Sequence, residues 1–407
     1  MMFEKYDVYK DSGVHWLGSI PQHWDVKSLK FICRLQSGET IRPEDFSNEG
    51  FPVYGGNGFR GFTKKYTNEG LHVLIGRQGA LCGNVNYADG QFYASEHAIV
   101  AYPYKNVDTH WLGEIIRVAD LNKYSQSAAQ PGIAVNVIEN IRFPYPDLEE
   151  QTRISDFLKK NILLLDQAIA IKEQQIALLN ERKQIVIQKA VTQGLGANVP
   201  MKDSGVEWIG EIPEHWEIIK VKNLFKLIIE PAPKNNDLEL LSVYTDIGVK
   251  PRKELEERGN KASTTDGYWK VRKGDIIVNK LLAWMGAIGL SNYNGVTSPA
   301  YDILRAVKPL NPYIYHLLFR SPTCSAELKK HSRGIMDMRL RLYFDKFGDV
   351  LVPYAPIYEQ NEIIKYIEVE EQKINAGIEL INQQIEKLKE YKTTLINDAV
   401  TGKIKVV

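Results

Sequence analysis

Lys10-Asp-Ser-Gly-Val-His-Trp-Leu-Gly-Ser-Ile-Pro-Gln-His-Trp24 returns 192 positions later as Lys202-Asp-Ser-Gly-Val-Glu-Trp-Ile-Gly-Glu-Ile-Pro-Glu-His-Trp216. A second repeat carries Pro144–Thr192 onto Pro353–Thr401 at an offset of 209, without a gap. A period near 200 is too long for a solenoid, whose units run to about 20–50 residues. The pattern describes a duplicated module instead, a globular segment followed by a helix, with a pseudo-two-fold relation between the copies.

The second repeat has the apolar period of a long helix. Leu158, Leu165, Leu179 and Val186 fall seven or fourteen apart, and Ile162, Ile169 and Ile176 form the complementary set. The other copy places Ile367, Ile374, Ile381, Leu388 and Leu395 in one row and Ile378 and Ile385 in the other. Paired rows of this kind make the a/d seam of a coiled coil, here interrupted by Lys172, Lys183 and Lys392. Neither stretch has an internal proline, and Gly194 and Gly402 stand where the helices should stop. A helix of about 42 residues would be about 60 Å long. Helices within globular domains seldom exceed about 20 residues. Two such helices are therefore expected to pack on each other, antiparallel within one chain, rather than each covering its own domain.

The globular segments share far less. Pro52–Gly61 reads as a strand entering a glycine-rich loop, and Leu71–Gly76 and Gln91–Val100 read as strands. Gly113–Leu121 is a short-helix candidate. The expected fold class is α+β: two globular mixed α/β domains separated by two long helices in an antiparallel coiled coil, with a circular internal repeat. The expected boundaries are 1–145, 146–193, 194–352 (with a linker at 194–202) and 353–407.

Composition bounds the function class. With 407 residues, 44% hydrophobic and 25% charged, the chain resembles an ordinary globular protein of two or three domains. The N-terminus lacks the apolar core of a signal peptide, and no run of about 18 apolar residues offers a membrane span. Cys33, Cys82 and Cys324 are odd in number and far apart, which points to a reducing cytoplasm and away from disulfides or a cysteine zinc site. Net charge is +1, from −1 over residues 1–143 and +4 over 197–352. Any polyanion site must be a local patch, to which a partner's charge can add.

A search for catalytic motifs gives little. There is no phosphate loop, no His-Glu-x-x-His and no nucleophile elbow. Asn311-Pro-Tyr313 resembles part of an adenine methyltransferase motif, yet Asn-Pro reads better as a helix start. Gly55-Gly-Asn-Gly58 lacks the helix and acidic partner of a dinucleotide site and reads as a turn. His23 and His215 recur beside Trp24 and Trp216 without the further ligands a metal needs, so no metal site is expected and these residues read as structural anchors. The remaining candidates are polar loop residues. They are Asn57, Arg60, Lys64, Lys65, Arg77 and Gln78 in the first segment, and Lys270, Arg272, Lys273, Lys280, Lys329, Lys330, Arg333, Arg339 and Arg341 in the second. Arg reads guanine by two hydrogen bonds, Asn and Gln read adenine likewise, and Lys mostly meets phosphate. Taken singly, each also fits a solvated surface charge. The favoured group is Lys329–Arg341, where six basic residues, counting His331, fall within thirteen positions.

The order of these motifs carries a resemblance. The Asp-Ser-Gly-Val-x-Trp-x-Gly-x-Ile-Pro-x-His-Trp opening is followed by a variable segment, Gln-Pro-Gly-Ile (130–133), Pro-x-Pro-x-x-x-Glu-Gln (144–151) and a long helix, and then recurs. Over essentially the full chain this resembles the specificity subunit of type I restriction–modification systems. The second copy departs at Ser332-Arg-Gly-Ile-Met, aligned with Gln-Pro-Gly-Ile, and at Pro353–Gln360. The resemblance implies a non-catalytic reader of double-stranded DNA, each variable domain binding one half of a bipartite asymmetric site. It implies helices that set the gap and dock methylation subunits, taken as two, with restriction subunits joining them. S-adenosylmethionine, ATP and Mg would be held by those partners, and none by this chain. The competing readings are a self-sufficient DNA methyltransferase or nuclease, and a coiled-coil scaffold with ligand-binding heads.

Overall fold

The structure, a computed structural model, describes residues 3–125, 132–196, 198–254, 265–334 and 340–406. The chain divides into two compact units, Met1–Glu173 with Asn382–Val407, and Gln174–Ile381. The division falls inside the long helices, so each helix contributes residues to both.

Unit 1 contains β1 (Cys33–Ser37), β2 (Phe51–Gly55), β3 (Gly58–Thr63), β4 (His72–Gly76), β5 (Val85–Ala88), β6 (Gln91–Ala94), β7 (Ala98–Pro103), α1 (Thr109–Val118) and the start of α2 (Leu148–Gln193). Its central sheet is antiparallel throughout, in the order β5-β4-β7-β1. Both faces of this sheet are covered, which is why its strands read as apolar runs rather than as an apolar–polar alternation. Val73, Ile75, Ile99 and Ala101 join the core beneath α1 with Trp111, Leu112 and Ile115. The intervening Leu74 and Val100 pack on the opposite side with Phe92 and Ala94.

Two expectations for this unit change. The glycine-rich stretch after Pro52 is a tight hairpin turn rather than a loop, and β3 pairs back on β2 while β6 runs parallel to β2. The helix starts at Thr109 rather than near Gly113, because the Asp108 carboxylate accepts a 2.8 Å hydrogen bond from Trp111 N–H and caps it.

Unit 2 contains β8 (Phe225–Ile228), β9 (Ile276–Asn279), β10 (Ile288–Leu290), β11 (Tyr301–Ala306), α3 (Pro312–Phe319), α4 (Pro322–His331) and the start of α5 (Ile357–Val400). Its antiparallel sheet has the order β8-β11-β9-β10. Ile276, Val278 and Leu304 face Tyr315, Phe319 and Leu328 of the helices, while Ile277 and Ile303 face Leu241, Val243 and Val249. Asn311 caps α3, its side-chain oxygen accepting from Tyr313 N–H, so Asn-Pro is a helix start. All three cysteines are buried and free.

The Glu-Gln pair at the base of each long helix clasps its unit together. In unit 1 the Glu150 carboxylate accepts hydrogen bonds from Trp24 Nε1 and His23 Nε2, both at 2.9 Å, and from the Tyr6 hydroxyl at 2.5 Å. Gln151 accepts from Asp108 N–H and donates to the Pro146 carbonyl, tying the start of α2 to the start of α1. In unit 2 Glu359 accepts from Trp216 Nε1 and His215 Nε2, and Gln360 accepts from Asn311 N–H and donates to the Ala355 carbonyl. Trp24 and Trp216 are buried as anchors, and His23 and His215 are their polar companions.

Each long helix ends on a glycine with positive φ, +72° at Gly194 and +74° at Gly402. Gly402 lies so close to Pro21 and Trp24 that a Cβ would strike both. Beyond it the chain stays in unit 1, where Lys405 N–H donates to the Glu4 carbonyl at 2.7 Å.

Within unit 1, Ile154 and Leu158 of α2 share a core with Leu395, Ile396, Ala399 and Val400 of α5, and Lys392 Nζ lies 2.7 Å from Asp166. Within unit 2, Ile187 and Val191 share a core with Ile363 and Ile367, while Lys183 Nζ donates to Asn375 Oδ1 at 3.3 Å. In each unit the residue number rises on one helix as it falls on the other, so the segments pack antiparallel. Leu158, Ile367, Ile374, Ile385 and Leu395 are buried, and Ile162, Leu165, Ile169, Ile176, Leu179, Val186, Ile378, Ile381 and Leu388 are half-buried. Leu164, Ile171, Leu178 and Ile185, also seven apart, form an exposed row on α2.

Candidate nucleic-acid interface

In unit 1 the hairpin β2–β3 turns at Gly56-Asn57, with Gly58 at φ +91°. The tip of this hairpin lies against the end of β4. A Cβ on Gly76 would sit 2.2 Å from the Gly56 carbonyl oxygen, so the two backbones meet at a distance only glycine allows. Arg77 N–H donates to the His97 carbonyl at 2.8 Å, which adds the turn between β6 and β7. These contacts frame a cleft of about 690 Å³ that Asn57, Arg60, Gln78, Leu81 and His97 help to line. Phe59 and Leu81 are exposed apolar side chains at its wall.

The polar groups in this cleft are oriented from within the protein. Asn84 Nδ2 donates to Asn57 Oδ1 at 3.1 Å, and His97 Nδ1 lies 3.0 Å from Gln78 Oε1. His97 Nε2 is 3.1 Å from a Glu96 carboxylate oxygen, whose other oxygen accepts from Ile41 N–H. Arg60 lies over Gly55, where a Cβ would meet its Cδ. The structure thus gathers Asn57, Arg60 and Gln78, with Arg77 in the backbone beneath. Lys64 and Lys65 line a separate groove of about 670 Å³ beside Glu39, Glu44 and Asp45, where the charge is mixed.

In unit 2 the candidates split into two groups. Lys280 follows the last residue of β9, and its Nζ lies 3.4 Å from Asp302 and donates to the Pro299 carbonyl. Burial pushes the Asp302 carboxyl up, and Lys280 opposes that shift. Next to it, Trp284 lies under Lys329 Nζ, which is 4.9 Å from the ring centroid. Arg333 and Arg341 exchange backbone hydrogen bonds of 2.9 Å in both directions, and Arg333 pairs with Asp345 at 3.4 Å. Leu342 N–H donates to the Lys280 carbonyl, so Lys280, Lys329, Arg333 and Arg341 lie around one strand end. Lys330 turns to Glu327 at 3.0 Å, a contact that raises its pKa. Arg339 lies outside the described residues.

Lys270, Arg272 and Lys273 precede β9 and lie at its opposite end, a separation of roughly 13 Å for four residues of strand. Arg272 is held by Glu230, which also pairs with Arg305, and Arg305 grips the buried Asp275 with two hydrogen bonds of 2.8 Å. Arg272 therefore belongs to an ion-pair network, and the whole group lies away from the strand-end cluster.

The two strand ends share a backbone bond. Ile133 N–H donates to the Arg77 carbonyl as Leu342 N–H does to that of Lys280, and 133 and 342 differ by the offset of the long repeat. The counterpart of Ile133 is therefore Leu342, so the letters Gly-Ile shared by the two copies do not mark equivalent positions.

Sequence reasoning missed His97 and Trp284. The polar interruption Ser95-Glu-His97 in an otherwise apolar run was a signal for the turn that presents His97. Among the described residues no helix is long and apolar enough to cross a membrane, and no group of three His, Cys, Asp or Glu could hold a metal ion.

Residues 21–181 match the family of type I restriction modification DNA specificity domains. The chain is 23% identical to the MjaVIII specificity subunit of Methanocaldococcus jannaschii, in an alignment covering all of this chain and 98% of that protein. It is 37% identical over 139 residues to the EcoprrI specificity subunit of Escherichia coli, where it spans about a third (35%) of the relative's length. A solved chain described under complex assembly and conformational transition of the type I R-M system superposes with a TM-score of 0.64 at 15% identity, covering 94% of this chain and 98% of that one. The HsdS subunit from Thermoanaerobacter tengcongensis gives 0.50 at 15% identity, over 95% and 98%. At that identity the likeness is one of fold, while the end-to-end match to the archaeal subunit extends to sequence. Residues 21–181 thus match the DNA specificity domain of that family, and over its full length the chain is similar to type I restriction–modification specificity subunits.

Proposed function

We propose that this chain confers DNA sequence specificity on a type I restriction–modification enzyme, each unit reading one half of a bipartite, asymmetric duplex site. The observation that carries this reading is the matched strand end. The same backbone bond lies beside Asn57, Arg60 and Gln78 in unit 1 and beside Lys280, Lys329, Arg333 and Arg341 in unit 2. A common frame with unlike polar faces is what a two-part reader needs, since base edges are read by side chains while the frame fixes position.

In this reading the chain is a duplicated module with recognition domains at 1–145 and 194–352 and spacer helices at 146–193 and 353–407. The antiparallel packing within each unit supports a coiled coil that acts as a ruler for the gap between half-sites. The exposed row Leu164, Ile171, Leu178 and Ile185 supports docking of methylation subunits along α2. The chain itself is non-catalytic, and S-adenosylmethionine, ATP and Mg are held by the methylation and restriction partners.

The test is selection from a pool of random duplexes by the full chain assembled with its methylation subunit, at fixed moderate salt. One enriched motif in two parts with a constant gap is expected. Equal binding of all duplexes would favour a scaffold, and methyl transfer by the purified chain alone would contradict the adaptor.

A further inference from the structure

We infer that the unit 1 cleft reads the acceptor edge of a guanine in the major groove, and that His97 is the positioning residue that aims Gln78 for this contact. The inference rests on the DNA-reading function above and adds the base and the residues that choose it.

An amide side chain reads adenine by offering both ends at once, its oxygen to N6–H and its N–H to N7. In this cleft the oxygens of both amides are directed inward. Gln78 Oε1 faces His97 Nδ1 at 3.0 Å, and Asn57 Oδ1 takes the Asn84 N–H at 3.1 Å. Because Gln78 Oε1 can only accept, His97 Nδ1 must carry the proton and donate it. The ring is held from its other side, where Nε2 lies 3.1 Å from a Glu96 carboxylate oxygen whose partner oxygen accepts from Ile41 N–H. Gln78 Nε2 and Asn57 Nδ2 remain for the cleft, and among the described residues neither has a partner. Arg60 adds a guanidinium, which has five donors and no acceptor.

A cleft that offers only donors suits neighbouring acceptors. Guanine presents N7 and O6 side by side, whereas adenine and cytosine place an amino group in the donors' path. Phosphate oxygens share this acceptor chemistry, so the test must separate base from backbone. Reversing Gln78 requires a residue at position 97 that accepts instead of donating. In His97→Asp the carboxylate takes a Gln78 N–H and turns the carbonyl outward, toward the amino groups of adenine or cytosine. In His97→Asn, Nδ2 replaces Nδ1 as donor and the original orientation is kept.

The experiment is selection from random duplexes by the full chain with its methylation subunit, comparing wild type, His97→Asn, His97→Asp and Gln78→Glu. Gln78 is exposed, so its variant keeps the inference testable even if a substitution at 97 disturbs folding. Wild type and His97→Asn are expected to select guanine at one position of one half-site. His97→Asp should shift that position to adenine or cytosine by roughly ten- to a hundredfold, and Gln78→Glu should shift it to cytosine. An unchanged base preference in His97→Asp and Gln78→Glu would overturn the inference alone. A uniform loss of binding with a shallower salt dependence would also overturn it, by assigning the donors to phosphate. If wild type enriches no sequence, the DNA-reading function fails and the inference falls with it.

Discussion

Replacing Glu150 tests the clasp that fixes unit 1 to its helix. The carboxylate is 4% exposed and Trp24 is fully buried, so in Glu150→Ala the Trp24 N–H loses its acceptor with no water to replace it. The half-buried Tyr6 hydroxyl loses its acceptor too, whereas His23, about half exposed, turns to solvent. A buried donor left unpaired costs about 1–3 kcal/mol, which gives about 2–4 kcal/mol for Trp24 with a partial share from Tyr6. Two units make global unfolding a poor readout, so the measurement is hydrogen exchange resolved by peptide in the full chain. Peptides over 3–30 should exchange about 30- to 800-fold faster, while those over 199–225 stay unchanged. Glu150→Gln, which keeps an acceptor but not the charge, should give a smaller effect. A change below threefold, or an equal change in both regions, would refute the reasoning.

Further outcomes follow from the same geometry. Burial works to raise the Glu359 carboxyl, but the hydrogen bonds from Trp216, His215 and Tyr358 outweigh it and hold the pKa below 4.5. The ionised clasp therefore stabilises unit 2 fully above that value and is lost as pH falls through the lower folded one, so Glu359→Gln should flatten the acid limb of peptide exchange over 199–225. Leu164→Glu with Ile171→Glu, on exposed positions, should weaken co-purification of the methylation subunit while leaving thermal unfolding of the chain within a few degrees. Arg341→Ala should relax base preference in one half-site only, read by duplex selection, and an equal loss in both halves would assign it to the frame. Deleting seven residues from either long helix should change the preferred gap and leave both half-site sequences as they are.

The long helices were legible because their period persists over many turns, and of the fourteen seam residues from Leu158 to Leu395 five are buried and nine half-buried. Short elements were less so. The break at Ser95-Glu-His97 splits one apparent strand in two, and Asp108 moves a helix start by several residues. The Pro-x-Pro-x-x-x-Glu-Gln letters were visible, but Glu150 meets Trp24 126 residues away, and no local pattern announces such a partner. The candidate interface suffered from the same limit. Lys273 and Lys280 are near in sequence yet lie at opposite ends of β9, and Lys330 beside Lys329 turns to Glu327. His97 meets Gln78 where Arg77 N–H donates to the His97 carbonyl, a backbone bond between distant loops that no local pattern announces.

The most direct test of the central claim is the methylome of a host carrying this chain with its methylation subunit, compared with the same host lacking only this chain. The account expects methylated bases in both halves of one bipartite sequence with a constant gap, all of them lost when the chain is absent. Methylation that persists without the chain, or that marks a single unbroken sequence, would contradict it.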